Sequence, residues 1–538
     1  MSRVLNCMKF PGDSVPEKIR AAMDEARREE GTVVVLEPGT YEIRTDKTTE
    51  MQSRCMSGAF SSLPDRHLFE NPVLPARIID FKGHRGTRFA AEGAKLQVDG
   101  FAEAVSVRDC SEVAVEGLEI DTVRRPFSVG KAFACAVLGN GTAQIDVLLD
   151  EDNRVARKTP VNSASLYYDT ERSLVSRLPM YDVRCSVVSP GHLRFTGKNL
   201  KKKIDGCTVY VSHIRNFAPA VRVERALDVR ISRVAVRSQP GCGILCINSE
   251  NVALEKVSVV PAQGMHFSCN SDCVRITGCR GRMSVRDCEF RSQGGNAVKI
   301  NGYYHNVLIV DGNRATVRME GPFGNVYGTP DYPRPGDIVE LTLYPDLSVI
   351  GTRTVKGRSV VPGNNISDLE LDTPLPVDSL DREIMLFNAS AVPELEISGC
   401  QFTGGAEAGI LCRSRGVRIN GNVFEDMPGT PVHLNADVYK REGPVCSDII
   451  VEENVFRRCG YGSDSESSGV LADITADEKA QMPQIRNIKI RNNVFDSPES
   501  GPAVMICQTD GLEISGNSFK ARLSVLSVSG CSNTEIIQ

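Results

Sequence analysis

An eight-residue pattern of apolar and polar positions recurs along most of the chain. Apolar residues stand at its first, third and eighth positions, two polar residues follow the third, and the sixth is small or apolar. Alternation with period two on both sides of a two-residue break is typical of two short strands joined by a tight corner. The copies cover residues 113–120, 229–236, 252–259, 283–290, 395–402, 417–424, 449–456, 488–495 and 512–519.

The spacing of these copies indicates a solenoid. Neighbouring copies begin 23 residues apart at 229 and 252, 22 apart at 395 and 417, and 24 apart at 488 and 512. A leucine-rich repeat is the main competitor, but leucine is sparse and the helical half of such repeats is missing. We therefore predict an all-β fold, a right-handed single-stranded parallel β-helix of the pectin-lyase-like kind. Residues at the sixth position should stack at one corner: Cys288, Cys400, Asn422, Asn454, Asn493 and Asn517.

The start of the chain predicts a helix over residues 14–30. Ser14 precedes Pro16, a cap residue followed by proline in the first turn. Ile19, Met23 and Ala26 then recur on one face. We expect this amphipathic helix to cover the open end of the first coil, which would otherwise expose unpaired strand edges.

Two strand-rich stretches, 126–216 and 314–388, lack the coil pattern. Segments such as 336–343 alternate like strands of a small antiparallel barrel, and unstructured loops of this length are uncommon. We therefore predict barrel-like insertions that wall a groove. The resulting domains are 1–125 with the capping helix and first coils, 126–216, 217–313 with the central coils and the groove, 314–388, and 389–538 with the last coils.

Composition narrows the function. The 63 basic and 68 acidic residues give a net charge of −5, whereas a nucleic-acid binder normally carries a basic excess. No apolar run approaches the roughly 18 residues of a membrane helix, so we expect neither nucleic acid nor membrane as a partner. Without a secretory signal at the N-terminus, 18 cysteines favour a reducing, cytoplasmic location. Seven histidines and no paired Cys-x-x-Cys predict no metal site. We also expect no cofactor, because none of the functions that the sequence leaves open requires one.

Several segments, taken in order, resemble glycoside hydrolase family 110. They read Leu-Glu-Ile-Asp-Thr-Val-Arg-Arg-Pro-Phe-Ser at 118–128, Gly-Met at 264–265, Gly-Cys-Arg-Gly at 278–281, Ala-Val-x-Ile-x-Gly at 297–302, Pro-Gly-Asp at 335–337, Gly-Ile-Leu at 409–411 and Asn-Val-Phe at 422–424. The resemblance runs from about residue 30 to 520 and implies a β-helical exo-α-1,3-galactosidase that inverts the anomeric configuration. A glycan is then the expected substrate, and a second copy of the chain stays open as a partner.

The same resemblance suggests where the site lies. Asp272, seven residues before Cys279, matches a family aspartate, while the family's paired acids fall on Gly295 and Asn296. Three further matched positions depart from the family: Lys299 replaces an asparagine, whereas Asn301 and Arg275 replace histidines.

Further on, Asp437 and Glu442 fit a family segment that ends in Glu-Ser-Gly. We predict Asp272, Asp437 and Glu442 as catalytic carboxylates. His266, one coil before Asp272, is predicted to bind substrate together with Arg275, Asn296, Lys299 and Asn301.

Three functions remain open on the sequence. The first is a glycoside hydrolase that removes a terminal α-linked galactose or a related sugar, using Asp272 and a second carboxylate. The second is a lyase or epimerase for an acidic sugar, in which Lys299 or Arg275 abstracts a proton and Asn296 holds the substrate. The third is a silent glycan-binding protein. The exchange of acids for Lys299 and Arg275 also predicts a pocket that favours anionic sugars.

Overall fold

The structure is a computed structural model. It describes residues 3–59, 75–138, 141–153, 155–156, 158–161, 163–167, 174–178, 183–198, 205–214, 217–319, 333–361, 366–376, 382–405, 407–461, 468–476, 482–498, 502–520 and 525–537. The chain winds into a parallel β-helix in which each coil crosses a sheet that we term the groove sheet and then a longer sheet. The predicted fold class is confirmed.

The groove sheet runs the length of the β-helix, and its neighbouring strands are parallel and in register. Its strands are Ala76–Lys82, Ala102–Arg108, Val221–Glu224, Ile244–Ile247, Val274–Thr277, the first part of Val298–Asp311, Ile410–Cys412, Val432–Asp437, Val470–Thr475, Val504–Cys507 and Leu526–Ser529, with the short antiparallel strand Glu442–Gly443 between two of them.

The longer sheet forms the remaining walls of the coils. Its strands are Val4–Asn6, Val33–Val35, Gly39–Ile43, Arg88–Val98, Ser111–Thr122, Leu227–Ser232, Ala235–Val236, Glu250–Glu255, Ser258–Val259, Arg280–Arg286, Glu289–Arg291, Glu394–Ser398, Gln401–Thr403, Arg415–Asn420, Val423–Glu425, Ser447–Glu452, Val455–Cys459, Ile485–Arg491, Val494–Pro498, Thr509–Ser515, Ser518–Phe519 and Ser532–Ile537. The apolar positions of the repeat fill the space between the two sheets.

The predicted ladder at one corner is confirmed. The Oδ1 atom of Asn454 accepts the backbone N–H of Asn422 at 2.9 Å, and Asn493 accepts that of Asn454 at the same distance. Each asparagine also donates through Nδ2 to the next Oδ1, at 3.0 Å from Asn422 to Asn454. The ladder continues through Asn517 at one end, and through Cys400 and Cys288 at the other.

Phenylalanines at the eighth position of the repeat form a second stack inside the coils. Phe402 and Phe424 have ring centroids 4.5 Å apart, and the contact between Phe456 and Phe495 is 4.7 Å. In-register coils repeat at one strand spacing, about 4.8 Å, so equivalent side chains must meet face to face. The stack therefore fixes the register of the C-terminal coils.

Helix α1, Val15–Ala26, caps the first coil. Ile19 and Met23 are buried in the main core, and Ser14 and Glu17 form a capping box at the helix start. A second helix, α2 at Asp46–Met56, is absent from the sequence prediction. Its apolar face has only a few residues, which pack against Phe101, Ile214, Phe217 and Ala218 from other segments. Two short 3-10 helices cover Cys7–Lys9 and Glu151–Asn153.

The first insertion forms an antiparallel sheet with its own core. In spatial order its described strands are Leu174–Leu178, Ser163–Tyr167, Thr208–Ser212, Phe127–Val137, Ala143–Leu149, His192–Gly197 and Val183–Ser189. It packs on the β-helix where Tyr210 stacks on Phe267 at 5.8 Å and the Tyr210 hydroxyl accepts the backbone N–H of His266 at 3.0 Å.

The second insertion is a closed antiparallel barrel. Its strands are the second part of Val298–Asp311, Arg314–Met319, Ile366–Leu371, Val349–Val361, Ile338–Leu343 and Ile384–Asn388, the last of which pairs with the first. Two 2.7 Å hydrogen bonds from Arg280 to Asp337 hold it to the coils. Pairing in the barrel begins at Tyr304, ten residues before the predicted boundary at 314, because one unbroken strand runs from the groove sheet into it.

Candidate functional site

The outer side of the groove sheet, which we term the groove face, lies between the two insertions. The first insertion directly precedes the groove-sheet strand Val221–Glu224, so it joins the amino end of that strand. The second insertion continues from Val298–Asp311 and therefore leaves from a carboxyl end. Side chains along the middle coils thus form the floor between two walls.

Parallel, in-register pairing stacks polar residues on this floor. Arg275 lies opposite Lys299 on the neighbouring strand, and Asn435 lies opposite Asp473. Because side chains alternate along a strand and Ile276 is buried in the core, these polar side chains face outward. Residues distant in sequence thereby meet at one strand spacing.

A buried ion pair between Lys299 and Glu442 occupies the centre of the floor. The Nζ atom of Lys299 lies 2.8 Å from Oε1 of Glu442, and the two side chains are 8% and 2% exposed. The guanidinium group of Arg413 contacts the second oxygen of Glu442. Burial, together with the positive charges of Arg275 and Arg413, lowers the pKa of Lys299 well below its usual range.

A hairpin brings Glu442 to this place. The strand Glu442–Gly443 runs antiparallel between Val298–Asp311 and Val432–Asp437. It lies beyond the point where the intervening strand Ile410–Cys412 has ended. The hairpin therefore fills a gap in the parallel sheet and aims a carboxylate toward Lys299.

Arg413 holds Asp437, another of the predicted catalytic acids, on the floor. Its Nη2 atom donates to Oδ1 of Asn435 at 2.7 Å and to Oδ2 of Asp437 at 3.2 Å. Burial lowers the pKa of Arg413, and the carboxylate of Asp437 opposes part of that effect. Asp437 also accepts the backbone N–H of Lys440 at 3.0 Å, so Asp437 is held from two sides.

Asp272 lies at the amino-end corner of the floor. Its Oδ1 atom accepts the backbone N–H of Asn296 at 2.8 Å and the Asn296 amide at 3.0 Å. Its Oδ2 atom lies 3.5 Å from Nε of Arg275. A Cβ atom at Gly295 would lie 2.6 Å from Oδ1 of Asp272. Gly295 is thus required for this placement of the carboxylate. The Asn296 amide also reaches Glu407 at 3.2 Å.

The last two predicted residues border the floor. Asn301 is 3% exposed, accepts a hydrogen bond from Thr277 at 3.2 Å and donates to the carbonyl of Gly302 at 3.2 Å. His266 lies at the junction with the first insertion, where its ring centroid is 6.3 Å from that of Tyr210. Asn301 therefore lies beside the floor on the strand that carries Lys299, whereas His266 belongs to the wall.

The sequence prediction missed Arg413, His433, Asn435 and Asp473. Nε2 of His433 and Nδ2 of Asn435 each lie 2.7 Å from Oδ1 of Asp473. Burial raises the pKa of Asp473, but the hydrogen bonds from His433 and Asn435 and the charge of Arg413 outweigh it and lower that pKa. For His433 and Asn435 the available signal was the alternation of apolar and polar residues in 432–437.

Each of the buried acids on the described floor lies against a cation, which differs from the predicted cationic pocket. Three cations face three acids: Arg275, Lys299 and Arg413 against Asp272, Asp437 and Glu442. Taking a charge out of water is unfavourable unless an opposite charge or hydrogen bonds replace the water. Arg275 and Lys299 are thus matched by buried carboxylates instead of facing solvent.

Within the part of the chain that the structure describes, His, Cys, Asp and Glu side chains do not gather in threes as a metal ion would need. None of the described helices combines the length and the apolar character of a membrane span.

Comparison with known proteins identifies similar chains. The sequence model of the family described as "Right handed beta helix region" matches residues 381–519, in agreement with the predicted hand of the coils. Among solved structures, a polygalacturonase from Erwinia carotovora ssp. carotovora aligns over 99% of this chain and 96% of its own, with a TM-score of 0.46 and 9% identity. The A-module of a mannuronan C-5 epimerase from Azotobacter vinelandii aligns over 99% and 100%, with a TM-score of 0.46 and 10% identity.

Curated relatives carry one recurrent name. Alpha-1,3-galactosidase A of Bacteroides fragilis is 22% identical over 550 aligned residues, which cover 95% of this chain and 86% of that protein. Alpha-1,3-galactosidase A of Shewanella woodyi is 25% identical over 355 aligned residues, or 63% of this chain and 56% of that protein. The chain is thus similar over almost its whole length to a protein of that name.

Proposed function

We propose that this protein is a glycoside hydrolase that removes a terminal α-linked galactose on the groove face. The observation that carries the proposal is the similarity to alpha-1,3-galactosidase A over 95% of the chain. The β-helix alone would not support it, since one fold hosts many activities. A walled floor of paired charges and amides suits a neutral, hydroxyl-rich ligand.

The proposed reaction inverts the anomeric configuration. Such hydrolysis uses one carboxylic acid to protonate the leaving oxygen and a carboxylate roughly 6.5–9.5 Å away to activate water. Asp272 and Glu442 stand on either side of the side chains of Arg275 and Lys299, with contacts of 3.5 Å and 2.8 Å. The strands of Arg275 and Lys299 are adjacent, about 4.8 Å apart. Asp272 and Glu442 therefore form the proposed pair.

The two carboxylates take different roles in this proposal. Glu442 touches Lys299 and Arg413, and these cations suit a group that works as a carboxylate, so Glu442 removes a proton from the attacking water. As the water oxygen bonds to the anomeric carbon, the glycosidic C–O bond breaks and Asp272 donates its proton to the leaving oxygen. Asp437, held by Arg413, positions that arginine against Glu442.

Turnover of galactosides tests the proposal. The panel contains nitrophenyl α- and β-galactosides and an α-1,3-linked galactose disaccharide. We expect hydrolysis of the α-linked compounds, with β-galactose as the first product in a proton NMR time course. Glu442→Gln should lower kcat at least a hundredfold on the nitrophenyl α-galactoside and on the disaccharide. Asp272→Asn should lower kcat on the disaccharide but spare the nitrophenyl α-galactoside, whose leaving group needs little protonation.

The matched control is Asp496→Asn, on the longer sheet, where Asp496 is 40% exposed and paired with Lys520. This control should keep wild-type turnover. Hydrolysis of the disaccharide that survives Asp272→Asn, or hydrolysis of either α-galactoside that survives Glu442→Gln, would remove the assignment of the pair. Release of α-galactose first would remove inversion.

One observation favours a silent glycan-binding protein as the second candidate. Asp272, Asp437 and Glu442 each lie against a cation, whereas a proton-donating acid must be neutral before the reaction. Galactoside binding without turnover on the whole panel would favour this function. The lyase or epimerase alternative is weaker, because its two candidate bases, Lys299 and Arg275, lie against Glu442 and Asp272.

A further inference from the structure

Asp473 differs from the other carboxylates of the floor in its exposure. Its side chain is 28% exposed, compared with 5% for Asp272, 7% for Asp437 and 2% for Glu442. The three buried carboxylates are engaged with Arg275, Lys299 or Arg413. Asp473 is thus the acid of this cluster that a ligand in the groove meets most directly.

The neighbours of Asp473 fix its orientation. His433 and Asn435 both donate to the same oxygen, Oδ1, at 2.7 Å. Neither donates a hydrogen bond to Oδ2. Asn435 is itself fixed by the guanidinium of Arg413 at 2.7 Å, so the chain of contacts leads back to the buried ion pairs. A carboxylate held through one oxygen is a preorganised acceptor at the other.

The surroundings make this acceptor negative and partly shielded from water. The neighbours of His433 in the groove-sheet register are Leu411 and Leu471, which are 8% and 5% exposed. The positive charge of Arg413 is opposed by Asp437 and Glu442. An anionic ligand at this end of the floor therefore faces the negative charge of Asp473, and the charge of Arg413 is already neutralised by its carboxylate partners.

We infer that Asp473, held by His433 and Asn435, accepts hydrogen bonds from hydroxyl groups of the sugar, and that this subsite selects neutral over anionic sugars. The choice of galactose as the sugar rests on the proposed function. The subsite itself does not need turnover, because it concerns binding alone.

Hydroxyl donors and charged acceptors explain the expected selectivity. Hydrogen bonds to an ionised group are roughly twice as strong as neutral ones, so a hydroxyl pair bound to Asp473 contributes strongly to affinity. A uronate or sulfate would place a second negative charge beside Asp473, and like charges at short distance repel. This selectivity is the reverse of that expected from the sequence.

Calorimetric titration of the full chain tests the inference. The ligands are an α-1,3-linked galactose disaccharide and the same disaccharide with galacturonate as the terminal sugar. We expect wild type to bind the neutral ligand at least tenfold more tightly at low salt, with a smaller difference as salt screens the repulsion. Asp473→Asn should weaken neutral binding roughly ten- to hundredfold and should reduce the preference between ligands.

Asp496→Asn is again the matched control and should bind both ligands as wild type does. Unfolding midpoints of the variants establish whether each is folded. If Asp473→Asn does not fold, the inference is decided by whether wild type prefers the neutral over the galacturonate disaccharide and whether that preference falls as salt rises. Equal or tighter binding of the galacturonate ligand, unchanged binding by folded Asp473→Asn, or no binding of the neutral ligand by wild type would overturn the inference.

The two proposals fail in different ways. Binding that depends on Asp473 without turnover overturns hydrolysis and keeps the subsite. Turnover of galactosides that Asp473→Asn leaves unchanged in KM and kcat keeps hydrolysis and overturns the subsite.

Discussion

The ammonium group of Lys299 lies 2.8 Å from the carboxylate of Glu442, although 143 residues separate them along the chain. Lys299 comes from a groove-sheet strand and Glu442 from a hairpin two coils later. Both side chains are almost fully buried, so each needs the other. Arg413 also contacts Glu442, so this carboxylate pairs with two cations, whereas Lys299 pairs with one carboxylate. Substitutions of Glu442 and of Lys299 should therefore differ in their effect on the free energy of unfolding.

Replacing Glu442 should destabilise the protein more than replacing Lys299. Glu442→Gln leaves both Lys299 and Arg413 without that carboxylate, and breaking a buried pair from one side costs about 3–5 kcal/mol. Lys299→Met leaves Glu442 paired with Arg413, so its cost should be smaller. The free energy of unfolding from urea titration measures both. A larger loss for Lys299→Met would contradict the asymmetry.

A side chain at Gly295 should disturb Asp272. Gly295→Ala places a Cβ atom 2.6 Å from the Asp272 carboxylate, and overpacking of this kind typically costs about 1–3 kcal/mol. If Asp272 is the proton donor, turnover should fall as well. Gly351→Ala is the control, because its Cβ would meet only the end of Arg353 at 3.8 Å. Equal unfolding midpoints for the two variants would refute the predicted clash.

The asparagine ladder should be sensitive to a single deletion. Asn454 is fully buried, donates to the carbonyl of Ile419 at 2.9 Å and accepts the N–H of Asn422. Asn454→Leu leaves both backbone groups without these partners, at about 1–3 kcal/mol for each. Asn420→Ala, at a half-buried position beside Glu452, should cost less than half as much. Thermal unfolding monitored by calorimetry measures the loss of stability in each variant. Similar losses for Asn454→Leu and Asn420→Ala would argue against the ladder.

Acidification should loosen the first insertion through His213. Burial lowers the pKa of His213 to about 4, although its hydrogen bond to the carbonyl of Pro160 opposes the shift. In the unfolded chain this histidine binds a proton near pH 6.5. The free energy of unfolding is therefore not reduced by His213 above that pH, and it falls as the pH drops from 6.5 toward 4. Urea unfolding at pH 7, 6 and 5 measures the loss, and His213→Gln should flatten it. If His213→Gln loses stability with falling pH as wild type does, another group causes the loss.

The sequence determined the repeating part of this protein. Alternating apolar positions specify which side of each strand is buried, and the side-chain period of two leaves little freedom of register. The corner residues Asn422 and Asn454 were therefore identifiable as a ladder before any coordinates. Helix α1 was predictable for the same reason, since its cap and its apolar face both lie within one local segment.

The floor of the groove was decided by tertiary structure. Asp473 and His433 stand 40 positions apart in sequence, and only the coil length between them brings their side chains to 2.7 Å. The hairpin that inserts Glu442 into a parallel sheet carries no periodic signal. Local patterns encode burial and turns, whereas charge pairing depends on which coils become neighbours. The sequence alone thus identified the acids Asp272, Asp437 and Glu442 as candidates, and the stacking of coils decided which cations hold them and left Asp473 the most exposed.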